Sequence, residues 1–526
     1  MRIELIWNEY NYFDYEKTLA IEEIEKLFHC IPESTDTGLR IDVQTSDLSR
    51  IGDLTYFNHA AVDGEVIITR QALLEASANG TKWGSSNSAK RVPRLSRQST
   101  RYSAHGLHEY KGKFNPQIVH SLGNSLGLAE DGWVLDPFCG SGTTLLEARH
   151  NGWNCLGIDL NPLAVFVTNA KVEATKASIK LLEEQTDSLA EFLENCRETE
   201  LSTTSGQMHL PNSVYLERWF SKSALFQIQE VLDAINRIIK PKLRNIFKAI
   251  LSDICRAVSL QDPGDLRIRR RKDPIENPAV IELYLDDLQK KIKTIVRARR
   301  AVQFGHSIQE AFVIDSRNCS GTIRTELEKH HRRRVDIIIT SPPYATALPY
   351  IDTQRLSLCL LGLLQADNVR NTEQSLIGSR EISLKERTAM EVYILENHSG
   401  LPRPVAAFCR DLLTAADHPE HGFRKRNVPA LTYKYFADMS QMFGQLHCLL
   451  RRSGTFALVV GVNTTVMDGT TIRIDTPRFL GDIAESKGWN LEGLKKLDTY
   501  QRFDLHNQNS IKSEYLLLLK PGSRCS

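Results

Sequence analysis

Four consecutive residues, Ser341-Pro342-Pro343-Tyr344, place a hydroxyl, two stiff backbone units and an aromatic ring directly after the run Asp336-Ile337-Ile338-Ile339-Thr340. The β-branched run reads as a buried strand, and the two prolines end it because they cannot continue a ladder. The result is a rigid, polar, aromatic-tipped loop at the carboxyl end of a strand, where open α/β sheets place their ligands. A bare strand end with a proline stop is the competing reading, and the residues upstream count against it.

A second group with chemical content lies at 133–161. Trp133-Val134-Leu135-Asp136 reads as a strand ending in a carboxylate, Pro137-Phe138-Cys139-Gly140-Ser141-Gly142 as a tight turn, and Thr143-Thr144-Leu145-Leu146-Glu147-Ala148 as a helix start. Cys155-Leu156-Gly157-Ile158-Asp159 is a second strand ending in a carboxylate. Glycines at a helix N-terminus let the backbone approach a ligand closely, and an acidic residue about twenty positions on suits ribose hydroxyls. No lysine follows the glycines, so this is not a P-loop, and the third glycine of the dinucleotide fingerprint is missing. A carboxylate at the end of the first strand would repel a pyrophosphate. It suits a cationic or zwitterionic ligand with a ribose, and S-adenosylmethionine (AdoMet) fits that description. Ala311-Phe312-Val313-Ile314-Asp315 is a third strand ending in a carboxylate.

These groups need a frame. The 526 residues are 41% hydrophobic and 25% charged, ordinary for a globular chain of several domains or one enlarged domain. A net charge of +2 advertises no nucleic-acid partner, so clustering of the basic residues matters more than their sum. Ten cysteines include no C-x-x-C pair, which argues against a zinc framework or a redox dithiol. Met1-Arg2-Ile3-Glu4 lacks a signal-peptide layout and no apolar run is long enough to span a bilayer, so a reduced, cytoplasmic protein is expected, with no membrane partner.

Along the chain, residues 1–80 mix strand-like and helical patterns, with a helix over Tyr15 to Phe28 and a strand at Val66-Ile67-Ile68. A Ser-rich basic linker carries Lys90, Arg91, Arg94, Arg97 and Arg101. The stretch around His108, Tyr110, Lys111, Lys113 and Phe114 is dense in groups able to cradle a small ligand, and a helix capped by Asn115 follows at Pro116–Leu126. Residues 171–305 read as a helical insertion with basic runs at Arg267, Arg269, Arg270, Arg271 and Lys272 and again at Arg297, Arg299 and Arg300. Such runs are either solvated faces or DNA contacts. A helix is expected over 345–362, a polar insertion over about 365–430 that includes Phe423-Arg424-Lys425-Arg426, then a core helix from Tyr435, a strand at Thr455–Val460, a helix near Pro477–Lys487 and closing strands at Leu497–Phe503 and Tyr515–Lys520.

With both loops in view, the chain resembles the amino-group DNA methyltransferases. Asp136-Pro137-Phe138-Cys139-Gly140-Ser141-Gly142-Thr143-Thr144 is similar to their AdoMet loop. Ser341-Pro342-Pro343-Tyr344 resembles their catalytic loop in its cytosine-N4 form, and His108 to Pro116 looks like the motif that precedes the AdoMet loop. The resemblance covers 104–170 and 306–362 by motif and 430–520 by strand pattern.

The resemblance implies an α/β, Rossmann-like AdoMet-dependent methyltransferase fold. It would have a mixed seven-stranded sheet with helices on both faces, plus a helical insertion and an N-terminal appendage. The expected division is an appendage (1–80), a basic linker (81–103), an AdoMet-binding half (104–170), a helical insertion for target recognition (171–305), a catalytic-loop half (306–364), a second insertion (365–430) and the last part of the sheet (431–521). Asp136, Phe138, Gly140 and Gly142 would line the AdoMet site, Asp159 would take the ribose hydroxyls, Asp315 would sit by the adenine amino group, and Lys113 and Phe114 would approach the methionine end.

An exocyclic base amine is a poor nucleophile, so its two N–H bonds must be held to redirect the lone pair. The Ser341 hydroxyl and the Pro342 carbonyl are the candidate acceptors, stiffened by Pro343, and Tyr344 offers a face to a flipped base. Direct transfer needs no metal. The expected partner is double-stranded DNA, with any restriction endonuclease encoded separately. Adenine-N6 or RNA methylation and a non-catalytic accessory role are the alternatives. The recognised sequence and the oligomeric state are not legible.

Overall fold

The computed structural model describes residues 1–80, 98–110, 112–198, 209–265, 268–345, 349–418, 421–498 and 513–522. Lys90, Arg91, Arg94, Arg97, Lys111 and Arg267 therefore lie outside the described residues.

The first 80 residues build an antiparallel sheet of β1 (Arg2–Trp7), β2 (Glu33–Ser34), β3 (Gly38–Asp42), β4 (Phe57–Val62) and β5 (Glu65–Ile68), in the order β2-β3-β1-β4-β5, with α1 (Asp14–Phe28) and α2 (Arg70–Ala78). Of these strands the sequence patterns revealed only β5. The others are short, and their apolar residues do not alternate cleanly. This sheet is fixed to the rest of the chain. Helix α1 packs on α3 (Pro116–Ser125), Asn124 Nδ2 donates to Asp53 O at 2.8 Å, and Glu22 pairs with Lys495.

The expected β-α-β unit follows as β6 (Trp133–Asp136), α4 (Thr143–His150), β7 (Asn154–Asp159) and α5 (Pro162–Lys176). Asn115 and Asn161 cap α3 and α5, each accepting from the backbone N–H two residues on, with proline at the first helical position. The helical insertion comprises α6 (Ile179–Glu198), α7 (Ser213–Leu216), α8 (Lys222–Asn236), α9 (Pro241–Ile254) and α10 (Val280–Ala301). The chain returns as β8 (Gln309–Val313), α11 (Ser320–Glu328), β9 (Val335–Thr340) and α12 (Tyr350–Leu360). Strand β8 starts and ends earlier than its sequence pattern implied, which leaves Ile314 and Asp315 in the loop beyond it.

The second insertion is helical rather than merely polar: α13 (Val369–Ser375), α14 (Leu384–Glu396) and α15 (Arg403–Ala416). Its basic end, Phe423-Arg424-Lys425-Arg426, is the first turn of the long α16 (Phe423–His447), which runs on through Pro429. Then come β10 (Leu450–Gly461), an unanticipated hairpin of β11 (Asn463–Met467) and β12 (Thr470–Ile474), α17 (Thr476–Ser486), β13 (Trp489–Asp498) and β14 (Ser513–Pro521). The stretch Tyr500–Phe503, expected to end a strand, lies outside the described residues.

The main sheet has seven strands in the order β13-β14-β10-β9-β6-β7-β8. Strands β8, β7, β6, β9 and β10 are parallel to one another, and β14 runs antiparallel between β10 and β13, which makes the sheet mixed. Alternate residues of the central strands feed two cores. Val134, Ile337 and Ile339 face one side, and Leu135, Ile338 and Leu458 the other. Strands buried on both faces read as continuous apolar runs, and this is why β9 is legible in the sequence. The chain leaves β6 toward β7 and β8, then returns to β9 on the other side. The carboxyl ends of β6 and β9 therefore flank the topological switch point, where such sheets bind ligands.

Candidate active site

Both ends of the β6–β9 pair are fixed by side chains. At the start, Trp133 N donates to Asp336 Oδ2 at 2.7 Å, and Arg451 pairs with the other oxygen at 2.9 Å. At the end, Thr340 Oγ1 donates to Asp136 Oδ1 at 2.5 Å, and Phe138 N donates to the same oxygen at 3.0 Å. Asp136 is buried, and burial raises its carboxyl to about 6. Its contacts are with the two loops, so it fixes the glycine turn against the strand that leads into Ser341.

The turn after Asp136 needs its glycines. Gly142 has φ +80°, and a Cβ there would stand 2.7 Å from the Thr168 side chain. Gly140 N donates to Asp159 Oδ2 at 3.0 Å, and Asn161 N to Asp159 Oδ1 at 2.8 Å. Burial raises Asp159 to about 6 as well. Asp315 caps a short 3-10 turn and is gripped by Arg317, whose Nε and Nη2 reach it at 2.6–3.0 Å. Burial alone would raise the Asp315 carboxyl, but the Arg317 hydrogen bonds bring it below its ordinary value. Arg317 also donates to Ser375 O at 2.8 Å and pairs with Asp438 at 3.1 Å.

A cleft of about 820 Å³, counting solvent at its mouth, opens over these strand ends. Asp136, Phe138, Gly140, Asp159, Asp315, Lys113 and Phe114 line it, together with Ser341 and Pro343 of the other loop. Gly142 lies just behind the wall at the helix start. Pro342 and Tyr344 are not on its walls. Pro342 is buried, and the half-buried Tyr344 donates its hydroxyl to Glu514 Oε1 at 2.7 Å. Lys113 Nζ donates to Thr100 O at 2.6 Å, and burial lowers its ammonium to about 7. The mixture of three carboxylates, a lysine, apolar walls and a glycine turn fits a ligand carrying a ribose, a cation and a planar base.

Several lining residues had no role on sequence grounds. Leu160 and Ile314 flank Asp159 and Asp315, and a residue adjoining an acidic strand end is a usable signal. Tyr350 also faces the cleft, as does Tyr110, which the sequence did offer as a ligand-cradling group and near which a Cβ on Gly140 would stand at 3.5 Å. Leu376 and Ile377 come from the second insertion, and nothing in their composition marks them. That insertion also holds the start of α12, because Glu373 Oε2 accepts from Ile351 N at 2.8 Å.

Other candidates lie elsewhere. His108 is buried against Ser252 Oγ at 3.0 Å and is not on the cleft wall. In the basic run, Arg269 pairs with Asp265 at 3.2 Å. Arg270 donates to Arg218 O at 2.5 Å, and Arg271 donates to Gln261 O and Ala257 O, both at 3.2 Å. Arg269 and Arg271 hold their own loop and Arg270 reaches the segment after α7, while Arg269, Arg270 and Lys272 remain exposed.

Residues 75–169 match the family model of N6/N4 DNA methylases. The type II methyltransferase M.MvaI of Kocuria varians is 25% identical over 332 residues, 58% of this chain and 70% of that protein. M.BsoBI of Geobacillus stearothermophilus is 24% identical over 281 residues, 50% and 53% respectively. M.AvaI of Nostoc sp. is 22% identical over 445 residues, 78% and 86% respectively. Among solved structures, TrmN from Thermus thermophilus aligns over 99% of both chains at 11% identity with a TM-score of 0.33. The chain is thus similar to the N6/N4 DNA methylases over residues 75–169 and, over a longer stretch, to type II methyltransferases of restriction-modification systems.

Proposed function

We propose that this chain methylates an exocyclic amino group of a flipped-out base in double-stranded DNA, with cytosine N4 as the preferred target and AdoMet as the donor. The observation that carries the reading is that Ser341 and Pro343 line the same cleft as Asp136, Asp159 and the glycine turn. Donor site and acceptor loop stand on adjacent strands, tied by the Thr340–Asp136 hydrogen bond.

When bound, AdoMet supplies an electrophilic methyl on a sulfonium. Asp159 would hold the ribose hydroxyls, and Asp315, fixed by Arg317, would face the adenine end. Phe138 and Phe114 would supply apolar walls, and Lys113 would approach the carboxylate end. The Ser341 hydroxyl and the Pro342 carbonyl accept the two N–H bonds of the base amine, so its lone pair points into the cleft. The Pro-Pro backbone is set before the base arrives, which removes an ordering cost from the reaction. Tyr344, anchored through its hydroxyl, presents its ring face to the base. Ser341 carries no charge at neutral pH, so the amine proton passes to water after transfer. The preference for cytosine rests on the serine that precedes Pro-Pro-Tyr, and adenine N6 is the second reading.

Nucleoside mass spectrometry of DNA from cells expressing the chain, with long-read mapping of modified positions, tests the proposal. N4-methylcytosine at a defined sequence is the expected outcome. N6-methyladenine would move the base assignment, and methylated RNA with unmodified DNA would overturn the reading.

A further inference from the structure

The hairpin β11–β12 leaves β10 at its carboxyl end, on the strand that neighbours β9. It therefore stands beside the Ser341–Tyr344 loop. Asn463, its first residue, donates a side-chain hydrogen bond to Ala345 O, directly after that loop. The turn Asp468-Gly469 has positive φ at both positions, which matches the twist of a two-residue hairpin.

The ribbon has two different faces. Cross-strand pairs Asn463–Ile474, Thr465–Ile472 and Met467–Thr470 form one, and Thr464–Arg473 and Val466–Thr471 form the other. On the first face Met467 and Ile474 are buried, Met467 packing on Leu412 and Ala416 of α15. On the second face Thr464, Thr471 and Arg473 are exposed, and Val466 is 49% exposed. The tip is braced too. His421 Nε2 lies 2.6 Å from Asp468 Oδ1, while His421 Nδ1 lies 3.1 Å from Ala416 O. The imidazole therefore bridges the hairpin tip to the end of α15.

A ribbon anchored at its base, along its back and at its tip holds its outer face firmly beside the loop proposed to receive the base. That face carries one guanidinium, two hydroxyls and one isopropyl group. Phosphate tracking uses many cations, whereas this mixture suits base edges: arginine to guanine O6 and N7, threonine to either pair, valine to the thymine methyl. A two-stranded ribbon also fits the major groove.

We propose that Thr464, Val466, Thr471 and Arg473 enter the major groove beside the flipped base and read its flanking base pairs. The inference rests on the DNA-methylation reading above. Two measurements test it. In Val466→Cys, maleimide labelling at position 466, read by peptide mass spectrometry, should slow about tenfold or more when duplex fragments from the methylated genome saturate the protein. Unchanged labelling overturns the inference. In Arg473→Ala, methyl transfer to the preferred sequence should fall about tenfold and tolerate substitution at one flanking pair, with AdoMet affinity within about twofold of the parent. Unaltered rate and preference overturn it. DNA methylation without protection at position 466 removes the surface and leaves the activity. Protection without DNA methylation removes the activity and leaves the surface.

Discussion

Thr340 donates its hydroxyl to Asp136 across two adjacent parallel strands, and this 2.5 Å hydrogen bond joins the glycine turn to the Ser-Pro-Pro-Tyr loop. Replacing the hydroxyl by a methyl leaves Asp136 buried with fewer donors, a change that costs about 1–3 kcal/mol. Thr340→Val should therefore lower unfolding stability by that order and weaken both AdoMet binding and methyl transfer, while Thr340→Ser restores them. Denaturant titration and calorimetry measure the two effects. A valine variant with parental stability and affinity would show the bond to be incidental.

The two strand-end carboxylates make a pH prediction. Burial raises Asp136 and Asp159 from an ordinary 3.8 to about 6, so the folded protein binds their protons more tightly than the unfolded chain does. Their contribution to stability is most favourable in acid and is lost as the pH rises from about 4 through 6. Ligand binding runs the other way, because ribose hydroxyls donate to an ionised carboxylate. AdoMet affinity should climb as the pH passes upward through about 6 and then level off. Asp159→Asn should flatten that climb and weaken binding at pH 7.5 by roughly tenfold or more, as expected for losing hydrogen bonds to a charged group. Calorimetry from pH 5 to 8 on parent and variant decides it, and a parental curve in the variant would remove Asp159 from the ribose role.

Tyr344 separates ring from hydroxyl. Its hydroxyl is bound to Glu514, whose carboxyl burial raises above its ordinary value. Tyr344→Phe keeps the ring and loses the anchor, so methyl transfer should fall only severalfold. Tyr344→Ala loses the stacking face, worth about 1–3 kcal/mol per base, and should reduce transfer roughly tenfold to a hundredfold. AdoMet affinity should be unchanged in both, since Tyr344 does not line the cleft. Loss of AdoMet binding in the alanine variant would assign the ring to the donor site instead.

Much of this site is readable from the sequence alone, for a physical reason. Parallel strands buried on both faces are continuous apolar runs, and the carboxylates, glycines and prolines that end them are among the strongest local signals in a sequence. Hence β6, β7 and β9 and their terminal residues are legible. Tyr344 is legible as a residue but not in its anchorage, because Glu514 is distant in sequence and has no motif. The hairpin β11–β12 is hidden in a run of threonines whose faces differ only after α15 packs against one of them. The basic run at 269–271 reads as a candidate DNA contact, and packing adds what the sequence hides: each guanidinium has a partner within the protein, while Arg269 and Arg270 stay exposed. Composition gives a charge, and only packing tells where the charge is directed.

The loop of the second insertion that faces the catalytic segment gives the last prediction. Gly378 has φ +78°, and a Cβ there would stand 3.0 Å from Tyr344 O and 3.2 Å from Pro343 Cβ. Gly400 also has positive φ, +60°, but a Cβ there would meet no heavy atom within 4 Å, so it isolates the backbone cost from the contact. Gly400→Ala should cost about 1 kcal/mol of stability and leave methyl transfer intact. Gly378→Ala carries the same backbone cost and in addition pushes on Pro343 and Tyr344. It should therefore lose more stability than Gly400→Ala and lower methyl transfer severalfold, with AdoMet affinity less affected than the rate. Equal effects of the two substitutions on transfer would show that the insertion only covers the loop. A rate loss confined to Gly378→Ala would show that the insertion sets the loop's position.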